Sequence, residues 1–143
     1  MEGYYIRPSR VSPSVYFNPT RGIMDLRGRS CPENPLRFFE HLFKGLRRFQ
    51  LEGYSSLTIN MGFEYFNTSS SKCIYNMFRI LDVMHQNGIT ICVKWFYEEG
   101  DNDMHESGED LSSFFTFPFR FIKVNEIKAL GSLTAAPKSK LVA

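Results

Sequence analysis

The stretch SLTINMGFEYFNTSSSKCIYNMFRILDVMHQNGITICVKWFY, residues 56–97, decides the fold. Residues 56–61 alternate, with Leu57, Ile59 and Met61 on one side, the pattern of a half-buried strand. A helix begins near Asn67 or Thr68, and Ile74, Met77, Phe78, Leu81 and Met84 or His85 recur along it at steps of three and four. Asn87-Gly88 ends that helix in the manner of a left-handed C-cap. Residues 89–97 then form the strongest strand in the chain. Two strands joined by a helix of this length predict a βαβ unit, with parallel strands and a right-handed crossover.

Outward toward the N-terminus, residues 4–6 and 15–17 read as short strands separated by Pro8 and Pro13. Residues 22–27 form another, bounded by turns at Asn18-Pro19-Thr20 and Gly28, which predicts an antiparallel start with a hairpin. Asn34 and Pro35 open a helix as cap and first residue. Leu36, Phe39, Phe43, Leu46 and Phe49 form its apolar stripe, and Gly53 closes it. Outward toward the C-terminus, a short helix is expected at 107–115 and a last strand at 117–124. The whole predicts an α/β fold: one domain over residues 1–125, a mixed β-sheet with packed helices, and a flexible tail at 126–143.

At 143 residues, 43% hydrophobic and 15% aromatic, the chain has material for one real core. No apolar run approaches the roughly 18 residues of a membrane span, so membrane insertion is not expected. A net charge of +2 calls for no nucleic-acid partner. Cys31, Cys73 and Cys92 are odd in number and widely spaced, which fits reduced thiols in the cytoplasm. No Cys-x-x-Cys pair and no phosphate-cradling Gly-rich loop is present, so neither a structural metal nor a cofactor is expected. Charge is uneven: the first third is basic, and residues 98–110 are acidic without Lys or Arg.

Functional groups in α/β folds gather where a strand's carboxyl end meets a helix. Here that place holds Asn67-Thr68-Ser69-Ser70-Ser71. On local rules Thr68 or Ser69 is an ordinary helix cap. Four consecutive hydroxyls exceed what one cap needs. A phosphate there adds about −1.5 to −2 charges, which the helix dipole and free N–H groups favour. Lys72, four residues after Thr68, lies on the same helix face, and Glu64 would oppose the charge if it points the same way. Asn67 to Ser69 also matches a glycosylation pattern, but residues 1–10 carry no apolar leader core.

The chain resembles the SiaC family of regulatory phosphoproteins, relatives in architecture of the SpoIIAA-like (STAS-like) anti-sigma-factor antagonists. The matching blocks are Gly28-Arg29-Ser30-Cys31-Pro32-Glu33-Asn34, Tyr65-Phe66-Asn67-Thr68-Ser69-Ser70-Ser71-Lys72, Trp95-Phe96-Tyr97, Glu106-Ser107-Gly108-Glu109-Asp110 and Pro118-Phe119. They run in one order from about Tyr16 to Phe121; Cys31 stands where an aromatic residue is more usual, and the tail after Val124 has no counterpart. The resemblance implies a non-enzymatic cytoplasmic switch with Thr68 as phosphoacceptor. A cognate protein kinase adds the phosphate and a PP2C-type phosphatase removes it. The unphosphorylated form binds and activates a diguanylate cyclase, raising cyclic di-GMP and favouring biofilm.

Around Thr68, Tyr65, Asn67, Ser69, Ser70 and Lys72 are candidates for partner contact. Glu33 and Asn34 join them if sheet topology brings their loop alongside. Glu106, Glu109 and Asp110 offer an acidic partner surface, and Trp95 an anchor if exposed rather than core. Two other readings stand beside this one: an anti-sigma antagonist acting on transcription, and a small metal-using enzyme built on Asp101, Asp103, His105 and Glu106.

Overall fold

The structure is a computed structural model and describes residues 1–131 of the chain. Six strands form one sheet in the order β1-β2-β3-β4-β5-β6, each neighbour in sequence being a neighbour in space. β1 (Tyr4–Ile6), β2 (Ser14–Asn18) and β3 (Ile23–Ser30) are an antiparallel meander. From β3 onward every pair is parallel: β4 (Ser56–Phe66), β5 (Thr90–Glu98) and β6 (Phe119–Val124). The crossovers are α1 (Pro35–Leu51), α2 (Thr68–Gln86) and α3 (Asn102–Ser112). Three successive crossovers advance the same way across the sheet, so right-handed connections put all three helices on one face. This is the single-domain, mixed-sheet, STAS-like arrangement expected from the sequence.

The core lies between that face and the helices. Phe17, Leu26, Met61, Phe63 and Trp95 from the sheet meet Phe39 and Leu46 of α1, Phe78 of α2 and Met104 of α3. α1 forms as its sequence dictates, with Asn34 Oδ1 accepting the Arg37 N–H at 3.0 Å and Pro35 opening the helix. α2 ends at Asn87, and Gly88, at φ 97°, takes the left-handed step that follows.

Several boundaries differ from the sequence expectation. Gly28 is no turn: β3 continues to Ser30, and a bulge falls between Gly28 and Arg29. Gly28 takes φ 123°, the backbone freedom that this irregularity uses. β4 runs five residues past Met61, because Phe63 is buried in the core and Arg29 and Ser30 pair with Tyr65 and Phe66. α3 starts at Asn102 rather than 107 and stops at Ser112 rather than 115. Asp101 caps it, Oδ1 accepting the Met104 N–H at 3.1 Å, and Asp103 sits in the favourable first turn. β6 begins at Phe119 instead of 117.

The opposite face of the sheet is more polar. Asp25 is fully buried there and takes two hydrogen bonds from Arg27, at 2.8 and 2.9 Å. Its carboxyl is nevertheless held above the usual carboxylate range, because loss of hydration outweighs the guanidinium.

The chain after β6 returns across this face instead of fraying from residue 126. The Ile127 N–H donates to Glu98 Oε2 at 2.9 Å, and the Leu130 N–H donates to Ser14 Oγ at 2.9 Å. The Tyr5 hydroxyl donates to the Leu130 carbonyl at 2.6 Å. Ile127 and Leu130 are buried, and a Cβ at Gly62 would already touch Ile127 at 3.5 Å. Residues 126–131 are thus a strap running from β5 back to β1. The rest of the expected flexible tail, 132–143, lies outside the described residues.

Candidate functional site

The site is built where β3 and β4 end side by side. Ser30 is in register with Phe66, so the loop carrying Glu33 and Asn34 and the start of α2 leave neighbouring strands at the same end of the sheet. The helix cap at this point is Asn67, not Thr68 or Ser69. Its Oδ1 accepts the Ser70 N–H at 2.9 Å, and its own N–H donates to the Ser30 carbonyl at 3.1 Å. Thr68 is the first helical residue. An amide cap frees the following hydroxyl from capping, which the sequence reading had not separated.

The four hydroxyls have different fates. Thr68 and Ser69 are exposed. Ser70 is fully buried and accepts from the Ser30 hydroxyl at 2.9 Å, so it is no surface for a partner. Ser71 Oγ donates to the Thr68 carbonyl at 2.7 Å. Thr68 and Ser69 also carry first-turn N–H groups that no helical carbonyl can reach. A negative charge on Thr68 would therefore meet open donors and the positive end of the helix dipole.

Lys72 is exposed one turn beyond Thr68 and lines a groove of about 590 Å³ between α2 and α3. Phe66, Tyr75, Asp110 and Leu111 share that groove. At its α3 end Phe114 is 66% exposed, its ring set edge-on to Tyr75 at 5.8 Å. Tyr75, Leu111 and Phe114 are no part of the sequence expectation, because only the fold brings α2 beside the end of α3. The mixed lining, apolar rings with one cation and one anion, suits a protein partner better than a small polar substrate.

The remaining candidates separate. Tyr65 is exposed, with the Arg29 guanidinium 5.2 Å from its ring centroid. Glu64 lines a different cleft, with Arg10, Arg29 and the strap residues, and does not share the groove beside Lys72. Glu33 and Asn34 are exposed, Asn34 being spent on the α1 cap. Glu106 and Glu109 are exposed on α3 beside Asp110. Trp95 is no anchor: it is fully buried, and its Nε1–H donates to the Met104 carbonyl at 3.0 Å. The acidic stretch proposed for a metal is helical. Asp101 is occupied as its cap, and the His105 ring lies flat on Tyr97 at 4.2 Å. Among the described residues no three His, Cys, Asp or Glu converge on one point.

Comparison with known proteins agrees with the ordered motifs. Residues 6–124 match the family model described as SiaC family regulatory phosphoprotein. An uncharacterised protein of Pseudomonas aeruginosa (strain UCBPP-PA14) is 26% identical over 119 residues, covering 83% of this chain and 94% of that relative. The crystal structure of apo-SiaC from Pseudomonas aeruginosa superposes with a TM-score of 0.80 at 25% identity, over 85% of this chain and 99% of that one. A second solved structure, the diguanylate cyclase SiaD in complex with its activator SiaC from the same organism, matches with a TM-score of 0.81 at 25% identity. It covers 85% of this chain and 99% of that one. With the family model spanning β2 to β6, all three helices and the hydroxyl-rich start of α2, the chain belongs to the SiaC family of regulatory phosphoproteins.

Proposed function

We propose that this protein is a phosphorylation-controlled activator of a diguanylate cyclase, acting in the cytoplasm by binding and catalysing nothing itself. Unphosphorylated, it engages the cyclase through the end of the sheet that carries Thr68 and the groove between α2 and α3. Phosphorylation of Thr68 by a cognate protein kinase switches binding off, and a PP2C-type phosphatase restores it. The observation that carries this reading is Thr68 itself: an exposed hydroxyl at the first position of α2, free of the cap and one turn before Lys72, which lines the groove between α2 and α3. The about 1.5 to 2 negative charges added there change the electrostatics of this end of α2 without asking the core to move.

Family membership supports the regulatory role, and the cyclase complex of the structural relative favours a cyclase over an anti-sigma kinase as partner. The test compares Thr68→Ala, Thr68→Glu and the unmodified protein by cyclic di-GMP output of the cyclase. Thr68→Ala is expected to activate like the unmodified protein and Thr68→Glu to lose at least tenfold. Equal activation by all three would refute the switch.

A further inference from the structure

A kinase that modifies one hydroxyl of α2 faces three more in the next three residues. The structure treats the four unequally, and the inequality originates in another strand. Ser30, the last residue of β3, is fully buried and donates its hydroxyl to Ser70 Oγ at 2.9 Å. Its carbonyl accepts the Asn67 N–H at 3.1 Å, and Asn67 Oδ1 accepts the Ser70 N–H at 2.9 Å. These three bonds close a ring through Ser30, Asn67 and Ser70, and 40 residues of chain separate the two serines. Thr68 and Ser69 project outside the ring, and neither hydroxyl makes a hydrogen bond among the described residues.

We propose that Ser30 is a positioning residue that determines where phosphate is added: it locks the first turn of α2, withholds Ser70 and presents Thr68. This rests on the reading of Thr68 as phosphoacceptor and adds what enforces the choice. In the transfer, the Thr68 hydroxyl oxygen bonds to the γ-phosphorus of ATP as the bond to the β-phosphate oxygen breaks. The hydroxyl proton goes to the kinase's base and ADP leaves. The acceptor oxygen must lie in line with the leaving group. Ser70 meets that condition only if the first turn of α2 unwinds and its bond from Ser30 breaks. Removing one such bond makes the opened turn about fivefold more frequent.

The experiment treats the full chain with its cognate kinase and MgATP to low conversion, assigns phosphate by mass spectrometry, and follows amide hydrogen exchange at 68–72. The unmodified protein is expected to carry phosphate on Thr68, with Ser70 and Ser71 silent. Ser30→Ala should place a measurable fraction on Ser70 and Ser71 and speed exchange of their amides about fivefold. Ser70→Ala, which opens the ring from the other side, should do the same at Ser71. Ile127→Ala, destabilised in the strap and not at this turn, is expected to keep phosphate on Thr68, and the same redistribution in that variant would overturn the positioning role. If both variants keep phosphate on Thr68 alone and exchange like the unmodified protein, the positioning role fails while the phosphoacceptor reading stands. If the unmodified protein takes no phosphate on Thr68, both fail.

Discussion

Glycine inside a helix is ordinarily a weak point, and replacing it by alanine stabilises by about 1 kcal/mol. Gly108 in α3 should do the reverse. A Cβ built there lies 2.6 Å from Trp95 Cδ1, 2.6 Å from Nε1 and 2.8 Å from Cε2. Carbon atoms in contact sit about 3.5–4.0 Å apart, so α3 must lift by about 1 Å. Overpacking of this kind costs about 2 kcal/mol. The lift also strains the bond from Trp95 Nε1–H to the Met104 carbonyl, at a further cost of about 0.5 kcal/mol. Set against the helix gain of about 1 kcal/mol, Gly108→Ala should destabilise by about 1.5 kcal/mol. For a chain of this length that lowers the midpoint by about 5 °C. Thermal unfolding by circular dichroism measures it. Trp95, the one tryptophan in the sequence, reports the displacement by its emission. A midpoint equal to or above that of the unmodified protein, with emission unchanged, would refute the docking of α3 on the indole.

Three further outcomes are expected. Ile127→Ala, in the strap, should lower stability by about 2 kcal/mol in urea; an unchanged midpoint would mean that the strap is not docked. Asn67→Ala should cost about 1 kcal/mol through loss of the α2 cap, and Asn67→Asp, which keeps the acceptor, should recover most of it. A full recovery by Asn67→Gln would contradict the short-range geometry of the cap. Asp25 has a folded-state pKa raised above its ordinary 3.8. Its favourable contribution is complete below 3.8 and declines as pH rises through the folded value. The stability of the unmodified protein relative to Asp25→Asn should therefore fall from pH 3.8 upward. A rise over that window would mean that Arg27, not lost hydration, governs the carboxyl.

The parts of the fold legible in the sequence are those fixed by local pattern. α1 and α2 announce themselves because Phe39, Phe43, Leu46 and Phe49, then Ile74, Met77, Phe78 and Leu81, keep helical spacing on buried faces. The end of β4 does not, because Gly62 and Glu64-Tyr65 break the alternation, and their pairing depends on β3. α3 begins at Asn102, ahead of the expected 107, and the missing side chain of Gly108 is what lets the helix sit on Trp95, a contact no local pattern reveals. At the site, the position of the hydroxyl-rich run at the start of α2 was legible in the sequence and the identity of the cap was not. Asn67 and Ser69 both satisfy local capping rules, and only the packing of Ser70 under Ser30 decides between registers. The strap was illegible for the same reason: Ile127 and Leu130 find their seats on strands more than a hundred residues away, or across the sheet.

The strap has a consequence for how the molecule comes into being. Strands are laid down in spatial order, each beside the one before, so nearly every pairing can form as soon as its second member has been synthesised. The bonds from Tyr5 and to Ser14 are different, since they span 125 and 116 residues and wait until Leu130 has been synthesised. They close the assembled sheet like a clasp. A chain that stops short of Leu130 can hold the helices and most of the sheet, but only one that has reached it ties the first strand to the strap, so that this edge becomes part of one cooperative unit.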